Sequence, residues 1–276
     1  MLREVARTKP HRTVYRRIGK DGDAYRIDLG DRNRYCARAD AHGVTVVPSG
    51  DAVFSRGKGY GELPMPVMPT DAAEAWDFVQ PLFLGIPNHE RVPLLALMVE
   101  GLRSDTPHSI LILVGQEGSG KSMAAERCVM AIDPFIGKLP SVAHSERGFY
   151  SAAQTRHTLV MDNLSMPLPG TLEDALCRSS CGAAIMVPEL YQTAESRTLR
   201  LFVKWIITGI SNQIRQADTL DRAWVIRVEK PNSYRSPEAL RAEFKSAQGR
   251  VLVVHPESFS VCFNAHSPCS CVPWSS

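Results

Sequence analysis

The chain has 276 residues, of which 44% are hydrophobic and 22% are charged. This composition is typical of a folded globular protein and excludes a disordered or fibrous one. No apolar run reaches the roughly 18 to 20 residues that a membrane span needs, and the basic start lacks the apolar stretch of a signal peptide. We therefore expect a cytoplasmic protein without a membrane partner. The net charge of +3 is too small to indicate nucleic acid by itself.

The two ends of the chain differ from the rest in composition. Residues 1–20 hold seven Lys or Arg against one Glu, and such a basic arm either meets phosphates or stays in solvent. Residues 253–276 have no helical period and hold three of the seven cysteines. We expect an irregular tail there, explained by a truncation or a frameshift or by a genuine short appendix.

The cysteines are odd in number and scattered, which favours reduced thiols. Zinc binding by Cys262, His266, Cys269 and Cys271 is the alternative. It is disfavoured because their C-x-C pair differs from the C-x₂₋₄-C spacing that zinc sites use.

Short strands are predicted between residues 13 and 60. DAYRIDL, RYCARA and VTVVP are rich in β-formers, and Gly/Asp turns separate them. The Pro-rich stretch GELPMPVMPT that follows is typical of a linker or a crossing segment. We predict three regions: a small antiparallel β unit with its basic arm (1–68), an α/β domain (69–230) and a carboxyl-terminal helix start with an irregular tail (231–276).

Helices and apolar strands alternate from residue 71 onward. Asp71 is a predicted cap of a helix that Pro81 interrupts, and Asn88 is a predicted cap of the next helix. The apolar runs SILILVG, HTLVMD, FVKWIITGI and AWVIRVE are predicted to be four buried strands, and KSMAAERCVMAID and LEDALCRSS are predicted helices. This alternation predicts a three-layer α/β fold with ligands at the carboxyl ends of the strands. The strand order does not follow from the sequence.

A phosphate-binding motif follows the first of these strands. GQEGSGKS fits G-x-x-x-x-G-K-[ST] without a mismatch, and it opens a predicted helix, as that motif requires. Backbone N–H groups of such a loop surround phosphate oxygens, its lysine contacts the β- and γ-phosphates, and its final hydroxyl ligates Mg²⁺. A plain Gly-rich turn is the alternative. The predicted ATP-binding residues are Gly115, Gln116, Glu117, Gly118, Ser119, Gly120, Lys121 and Ser122, with Ser122 also a Mg²⁺ ligand.

The second apolar strand ends in a candidate metal ligand. Asp162 lies where a carboxylate holds Mg²⁺ beside a P-loop, although it could instead cap a turn. Asn163 follows, at the position where many P-loop ATPases place the glutamate that activates water. Asparagine can orient a water but cannot accept its proton, so Glu117 and Asp174 are candidate bases, or hydrolysis is slow.

Three further polar residues are candidates for catalysis. Thr208 ends the third strand and Asn212 lies just beyond it, and either can contact the γ-phosphate or cap the following turn. Arg222 precedes the last strand and can act as an arginine finger on the nucleotide of a neighbouring subunit. A surface ion pair is the alternative, and Arg178 is a weaker candidate for the same role.

The order of these motifs resembles a known family. GQEGSGKS, LVMDNLSMPLPGTLEDALCR, ELYQTAES, IITGI and DTLDRAWVIRVE resemble ATP-binding proteins of phages and integrated elements, which are similar to the viral primase–helicase ATPases of the superfamily-three branch of AAA+. The resemblance covers approximately residues 14–230. It implies an AAA+-like P-loop ATPase with ATP and Mg²⁺, a homo-oligomeric ring and action on DNA in replication. Members often carry a primase-like region upstream.

Carried over residue by residue, the resemblance assigns the loop glycines, Lys121 and Ser122 to the phosphates and Asp162 to the metal. The Asp-Asn pair is also a trait of the family. The chain departs from the family at Thr208-Gly209-Ile210, where Asn-Gly-Ile is more frequent, and at Gln216-Ala217-Asp218, where the family has Arg-Pro-Asp.

Two classes of function follow from these residues. The first is a DNA-dependent ATPase of a phage or mobile element with helicase-like motor action. The second is a nucleotide-gated, oligomerising DNA-binding module with little or no hydrolysis. A small-molecule kinase is disfavoured because no arginine-rich lid follows the second strand, and a remnant of a decaying prophage is a further alternative.

Overall fold

The amino-terminal strands form a four-stranded antiparallel sheet. The strands are β2 (Ile18–Asp21), β3 (Ala24–Asp28), β4 (Tyr35–Asp40) and β5 (Gly43–Pro48), in the order β2-β3-β4-β5. Two short strands, β1 (Val14–Tyr15) and β6 (Val53–Phe54), pair in parallel. The strands predicted from DAYRIDL, RYCARA and VTVVP are confirmed. The computed structural model describes residues 13–50, 52–139, 145–188, 196–231 and 235–251, and side chains outside 184–200.

A four-stranded parallel sheet forms the centre of the larger α/β part. It contains β7 (Ile110–Val114), β8 (Thr158–Leu164), β11 (Lys204–Gly209) and β12 (Ala223–Arg227), in the order β12-β7-β11-β8. The strands β7 and β11 are interior and buried throughout. The prediction of a buried fourth strand is wrong, because β12 lies at an edge and its residues Trp224 and Val225 are 44% and 40% exposed.

Helices cover both faces of this sheet. They are α1 (Ala72–Val79), α2 (Asn88–Glu100), α3 (Lys121–Ile132), α4 (Glu146–Thr155), α5 (Gly170–Ser180), α6 (Ala217–Leu220) and α7 (Pro237–Val251), with a 3₁₀ turn at Gln80–Phe83. Asp71 caps α1 by accepting from Glu74 N at 2.8 Å, as predicted. The prediction of Asn88 as a cap is wrong, because Pro87 precedes α2 and Asn88 is its first helical residue.

The side chains of β7 show how the three layers form. Leu111 and Leu113 pack into one apolar core with residues of α1, α2, α3 and α7, while Ile110, Ile112 and Val114 pack into a second core on the opposite face. In the second core the rings of Phe149 and Trp205 stack with their centroids 4.4 Å apart. Successive residues of a strand point to opposite faces, so a strand that is apolar at every position is buried on both sides. The predicted three-layer α/β fold is confirmed.

A β-hairpin that the sequence did not reveal lies between α5 and β11. Its strands, β9 (Ala184–Pro188) and β10 (Ser196–Arg200), pair antiparallel. The described cysteines Cys36, Cys128, Cys177 and Cys181 are free thiols. The irregular tail and the zinc candidates lie outside the described residues. Within the described part of the chain, no helix is long and apolar enough to cross a membrane.

The basic arm differs from both expectations at Arg17, which neither stays in solvent nor is available to phosphates. Arg17 is fully buried. It donates to the Asp133 carboxylate at 3.0 Å, and its neighbour Arg16 donates to backbone carbonyls of Arg156 and Phe202, both at 2.9 Å. Cations at these two positions therefore join the amino-terminal β unit to the α/β part.

Candidate nucleotide site

The P-loop connects the interior strand β7 to helix α3. Gly118 and Gly120 have φ angles of +74° and +88°, which side chains rarely adopt, and open space lies where a Cβ would stand. Gly115 is enclosed instead, since its N–H donates to Gly209 O at 3.3 Å and a Cβ there would lie 2.7 Å from Val228 O. The loop is therefore anchored at its first residue and open at its later glycines.

Lys121 and Ser122 occupy the first turn of α3. The ammonium of Lys121 donates to the carbonyls of Gly115 at 2.8 Å and Gln116 at 2.7 Å, so it folds back over the loop. Ser122 is exposed. The hydroxyl of Ser119 is buried in the loop without a hydrogen-bond partner, although buried polar groups are normally paired. These groups lie at the amino-terminal end of a 12-residue helix, where the backbone attracts anions.

Asp162 and Thr208 meet at the carboxyl ends of neighbouring strands. The Thr208 hydroxyl donates to Asp162 Oδ1 at 2.7 Å and accepts from Asn163 N, also at 2.7 Å. Thr208 is fully buried, whereas Asp162 is partly exposed. The Thr208 hydroxyl thus donates one hydrogen bond and accepts another, and both hold the end of β8. The Asp162 carboxylate stays accessible.

A β-bulge shapes the end of β8. Met161 pairs with Ile207 but Leu164 pairs with Gly209, so β8 contains one residue more than β11 over this interval. Asn163 takes up the difference with a φ of +58° and an exposed side chain. Bulges of this kind redirect side chains at the ends of strands. The local backbone therefore separates the roles of Asp162, held by Thr208, and Asn163, which faces solvent.

The remaining candidates are not all brought to this site. The Asn212 side chain accepts from Ile214 N at 3.0 Å, which is the turn-capping role that was its alternative. Glu117 is exposed in the loop. Asp174 and Arg178 form an exposed i,i+4 ion pair on α5 at 3.8 Å.

Arg222 lies at the other end of the sheet. Its carbonyl accepts from Ile110 N, at the start of β7, whereas Val228 N donates to Val114 O beside the loop. Six residues of β-strand separate Arg222 from Val228, which corresponds to about 20 Å. Arg222 is exposed. It therefore does not contribute to the loop of its own chain.

Sequence reasoning missed one residue beside the loop, Gly85. Its φ is +68°, and a Cβ there would lie 2.8 Å from Val228 Cγ1 and 2.9 Å from Glu229 O. Gly85 O accepts from Glu229 N at 2.8 Å. The lead-in to α2 is thus fastened to the end of β12 next to the P-loop. The only signal in the sequence is a glycine two residues before a proline, which indicates a turn and not its contacts.

These residues fit a phosphate group and a divalent cation. Open glycines, an unpaired buried hydroxyl at Ser119 and a lysine above the loop suit phosphate oxygens. The exposed hydroxyl of Ser122 and the accessible carboxylate of Asp162 are oxygen donors of the type that Mg²⁺ prefers.

The parallel sheet with helices on both faces, together with the loop from Gly115 to Ser122, defines a P-loop NTPase fold. Residues 86–258, more than half of the chain, match the model of the family described as actinomycete integrative conjugative element replication proteins. The chain belongs to this family, as the resemblance to proteins of integrated elements predicted. No curated protein matches the chain.

Solved structures similar to this chain include the C-terminal region of NrS-1 and two helicases. The A form of the apo C-terminal region of NrS-1 has a TM-score of 0.50 at 11% identity, covering 86% of this chain and 68% of that chain. A JCV helicase has a TM-score of 0.40 at 15% identity, covering 64% and 52%. The active helicase Cch of SCCmec type IV has a TM-score of 0.40 at 14% identity, covering 95% and 48%. Only the first, with its TM-score of 0.50, bears on the fold. At such low identities none of the three bears on activity.

Proposed function

We propose that this replication protein is an ATP-binding, DNA-dependent ATPase that acts as a helicase-like motor in the cytoplasm during replication of a mobile element. One observation carries the proposal. Lys121 and Ser122 open α3 at the same edge of the sheet where Thr208 holds Asp162. The candidate phosphate and metal ligands thus lie at the carboxyl ends of three adjacent strands, where ligands of open α/β sheets bind.

The residues of this edge divide the work of binding ATP and Mg²⁺. Lys121 exchanges the carbonyls of Gly115 and Gln116 for phosphate oxygens, and loop N–H groups complete the anion site. Ser122 and Asp162 would hold the metal, whose charge offsets that of the phosphates. Thr208 keeps the Asp162 carboxylate in one orientation, which lowers the cost of placing it on the metal.

We propose further that the chain works as a homo-oligomeric ring. Arg222 is exposed and about 20 Å from its own loop, so it suits the nucleotide of a neighbouring copy. Leu220, Trp224 and Val225 around it are apolar and exposed, and β12 pairs on one side only among the described strands. An apolar strand edge of this kind favours association.

Mixing two inactive variants tests the shared site. Arg222→Ala retains an intact loop, and Lys121→Ala retains an intact Arg222. We expect each alone to lack turnover and their mixture to regain part of it, because some loops then meet an arginine from the other variant. A mixture that stays inactive, with light scattering showing oligomers, contradicts the shared site.

Asn163 supports the alternative of a nucleotide-gated, DNA-binding module with little hydrolysis. Its side chain has no basicity, and it stands exposed next to the metal candidate. The carboxylates proposed as substitutes are an exposed loop residue, Glu117, and Asp174, which pairs with Arg178.

Phosphate release with and without single-stranded DNA separates the two functions. Turnover that DNA stimulates and Lys121→Ala abolishes supports the motor. ATP binding without turnover supports the module, and absence of ATP binding contradicts both. Lys138→Ala is the matched control, because Lys138 is an exposed lysine beyond the far end of α3, a helix about 18 Å long that begins at Lys121.

A further inference from the structure

Asp133 joins two elements of the nucleotide site at their far ends. It caps helix α3, and its own N–H donates to Val129 O at 2.7 Å. Its carboxylate Oδ2 accepts from the backbone N–H of His157 at 3.0 Å and of Thr158 at 3.2 Å, where β8 begins. Asp133 is 1% exposed. One buried carboxylate therefore ties the end of the P-loop helix to the start of the strand that carries Asp162.

The other carboxylate oxygen of Asp133 contacts the amino-terminal β unit. It accepts from Arg17 Nε at 3.0 Å. Arg17 also donates to the backbone carbonyls of Asp28 and Gly61, both at 2.9 Å, and its guanidinium lies 3.5 Å from the ring centre of Tyr60. The arginine is thus fixed from several sides, and it orients the carboxylate of Asp133 in turn.

We propose that Asp133 is a positioning residue for the metal-dependent part of the ATP site, and that the amino-terminal β unit acts on that site through Arg17. This inference rests on the proposed ATP site. Helix α3 carries Lys121 and Ser122 at one end and meets Asp133 at the other. Strand β8 starts beside Asp133, which accepts from Thr158 N, and it carries Asp162 near its end. Two stiff elements that are joined at one end keep a fixed separation at the other, and that separation is where Ser122 and Asp162 must share a cation.

Only a carboxylate satisfies both sets of donors. The two backbone N–H groups and the Arg17 guanidinium all donate, and each carboxylate oxygen accepts from one side. The amide of Asp133→Asn turns an NH₂ group toward one side, so it either repels Arg17 or releases the start of β8. The direct contacts of the P-loop remain intact in this variant.

Titration of ATP onto the full chain, once with Mg²⁺ and once with EDTA, tests the proposal by calorimetry. Without metal, ATP binding depends on the loop and on Lys121, and both lie at the amino-terminal end of α3. With metal, it depends also on the position of Asp162. Groups that hydrogen-bond a metal ligand directly change affinity by about tenfold to a hundredfold, and Asp133 acts from the far ends of both elements. We therefore expect Asp133→Asn to weaken binding by about threefold to tenfold in Mg²⁺ and by less than about twofold in EDTA.

Asp28→Asn is the matched control. Asp28 is a fully buried carboxylate in the same network, paired with Arg56 at 2.6 Å and Tyr60 at 2.8 Å. Its side-chain partners among the described residues are Gly30, Arg56 and Tyr60, none of which lies on α3 or β8. It should lower the melting temperature without changing the ratio of the two affinities. Arg17→Lys keeps the charge but shortens the reach to Asp133, and it should change the ratio in the same direction as Asp133→Asn by a smaller factor.

The outcomes separate positioning from stability alone. A folded Asp133→Asn that loses affinity equally in Mg²⁺ and EDTA, or loses none, overturns the inference and leaves the proposed ATP site standing. If Asp133→Asn does not fold, an unchanged affinity ratio in Arg17→Lys overturns it. A wild-type chain that binds no ATP in either buffer overturns the proposed function, and this inference with it.

Discussion

The two ends of the central sheet treat polar groups in opposite ways. At the carboxyl end, Ser122 and Asn163 are exposed and the Ser119 hydroxyl is buried without a partner. At the amino end, Arg17 and Lys204 are fully buried and each meets a carboxylate, at Asp133 and Glu100. The buried charges at the amino end are thus paired, and the buried groups without a partner there, the His108 ring and the Thr158 hydroxyl, are neutral. The carboxyl end instead has exposed polar groups that a ligand can reach.

This difference teaches where each kind of residue acts. Buried ion pairs contribute little net stability, but a single partner left behind is costly, so the amino end admits few alternative arrangements. Polar groups that lack a hydrogen-bond partner lower the stability of the free protein, and they bind a ligand that supplies the missing partner. Apart from the change in ATP affinity proposed for Asp133 and Arg17, we expect substitutions at the amino end to act on folding, and those at the carboxyl end to act on nucleotides.

The largest effect on folding is expected from Glu100→Gln. Lys204 donates to Glu100 at 2.9 Å and to Ser109 O at 2.8 Å, and the change leaves its buried charge without a counterion. Because Glu100 is partly exposed, we expect a loss of about 3 kcal/mol in the free energy of unfolding, the lower end for a broken buried pair. Urea unfolding measures it. Ser122→Ala, at the exposed end, should stay within about 0.5 kcal/mol of wild type, and equal losses would erase the contrast.

An intermediate effect is expected from Thr208→Val, which removes one hydroxyl and keeps the shape of the side chain. Asp162 Oδ1 and Asn163 N lose their shared partner. Because Asp162 and Asn163 can reach water, we expect only about 1 kcal/mol of destabilisation. The affinity for ATP in Mg²⁺ should fall by about tenfold or more, as for other partners of metal ligands. An affinity that stays at the wild-type value shows that Thr208 serves only the fold.

The smallest effect at neutral pH is expected from His108→Phe. His108 is buried, neither ring nitrogen has a hydrogen-bond partner, and its ring packs edge-on against His157 at 5.3 Å. Replacement by an apolar ring therefore removes no hydrogen bond, and we expect a change below about 1 kcal/mol near pH 7.

Acid distinguishes this variant from wild type. Burial, with smaller contributions from His157, Lys204 and Arg16, lowers the pKa of His108 to about 2, and burial lowers that of His157 to about 4. Below the unfolded value of about 6.5 the unfolded chain binds these protons first. The free energy of unfolding therefore decreases as the pH is lowered, until the pH reaches the folded pKa values. Each histidine adds about 1.4 kcal/mol per pH unit to the slope of the free energy of unfolding in that window, and His108→Phe should remove the contribution of one histidine. A slope equal to that of wild type between about pH 6 and 4.5 contradicts the assignment.

Local patterns predicted much of the fold and the loop. The apolar runs before Gly115 and Asp162, and the motif between them, depend on neighbours in sequence, and the structure contains the corresponding strands and helix. The edge position of β12 did not follow, since it depends on strand order. The hairpin of β9 and β10 was missed because the sequence ELYQTAE between its strands has none of the Gly, Pro, Asn or Asp residues that usually indicate a hairpin.

The partners of buried charges could not be predicted for a similar reason. Arg17 meets Asp133 across 116 positions, and Lys204 meets Glu100 across 104. In the sequence, Arg17 is one cation of a basic arm and Asp133 is the last residue of a helix motif. Their pairing depends on tertiary contacts, and it changes both interpretations.

Equilibrium binding of ATP in Mg²⁺ to wild type and to Lys121→Ala tests the central claim most directly. We expect saturable binding to wild type that weakens by about tenfold to a hundredfold in the variant, because each hydrogen bond to a charged group contributes about 1.5–3 kcal/mol. The melting temperature without nucleotide should change little, since Lys121 then bonds only to carbonyls of its own loop. Binding of equal strength in both proteins would contradict the assignment of the loop from Gly115 to Ser122 as the ATP site.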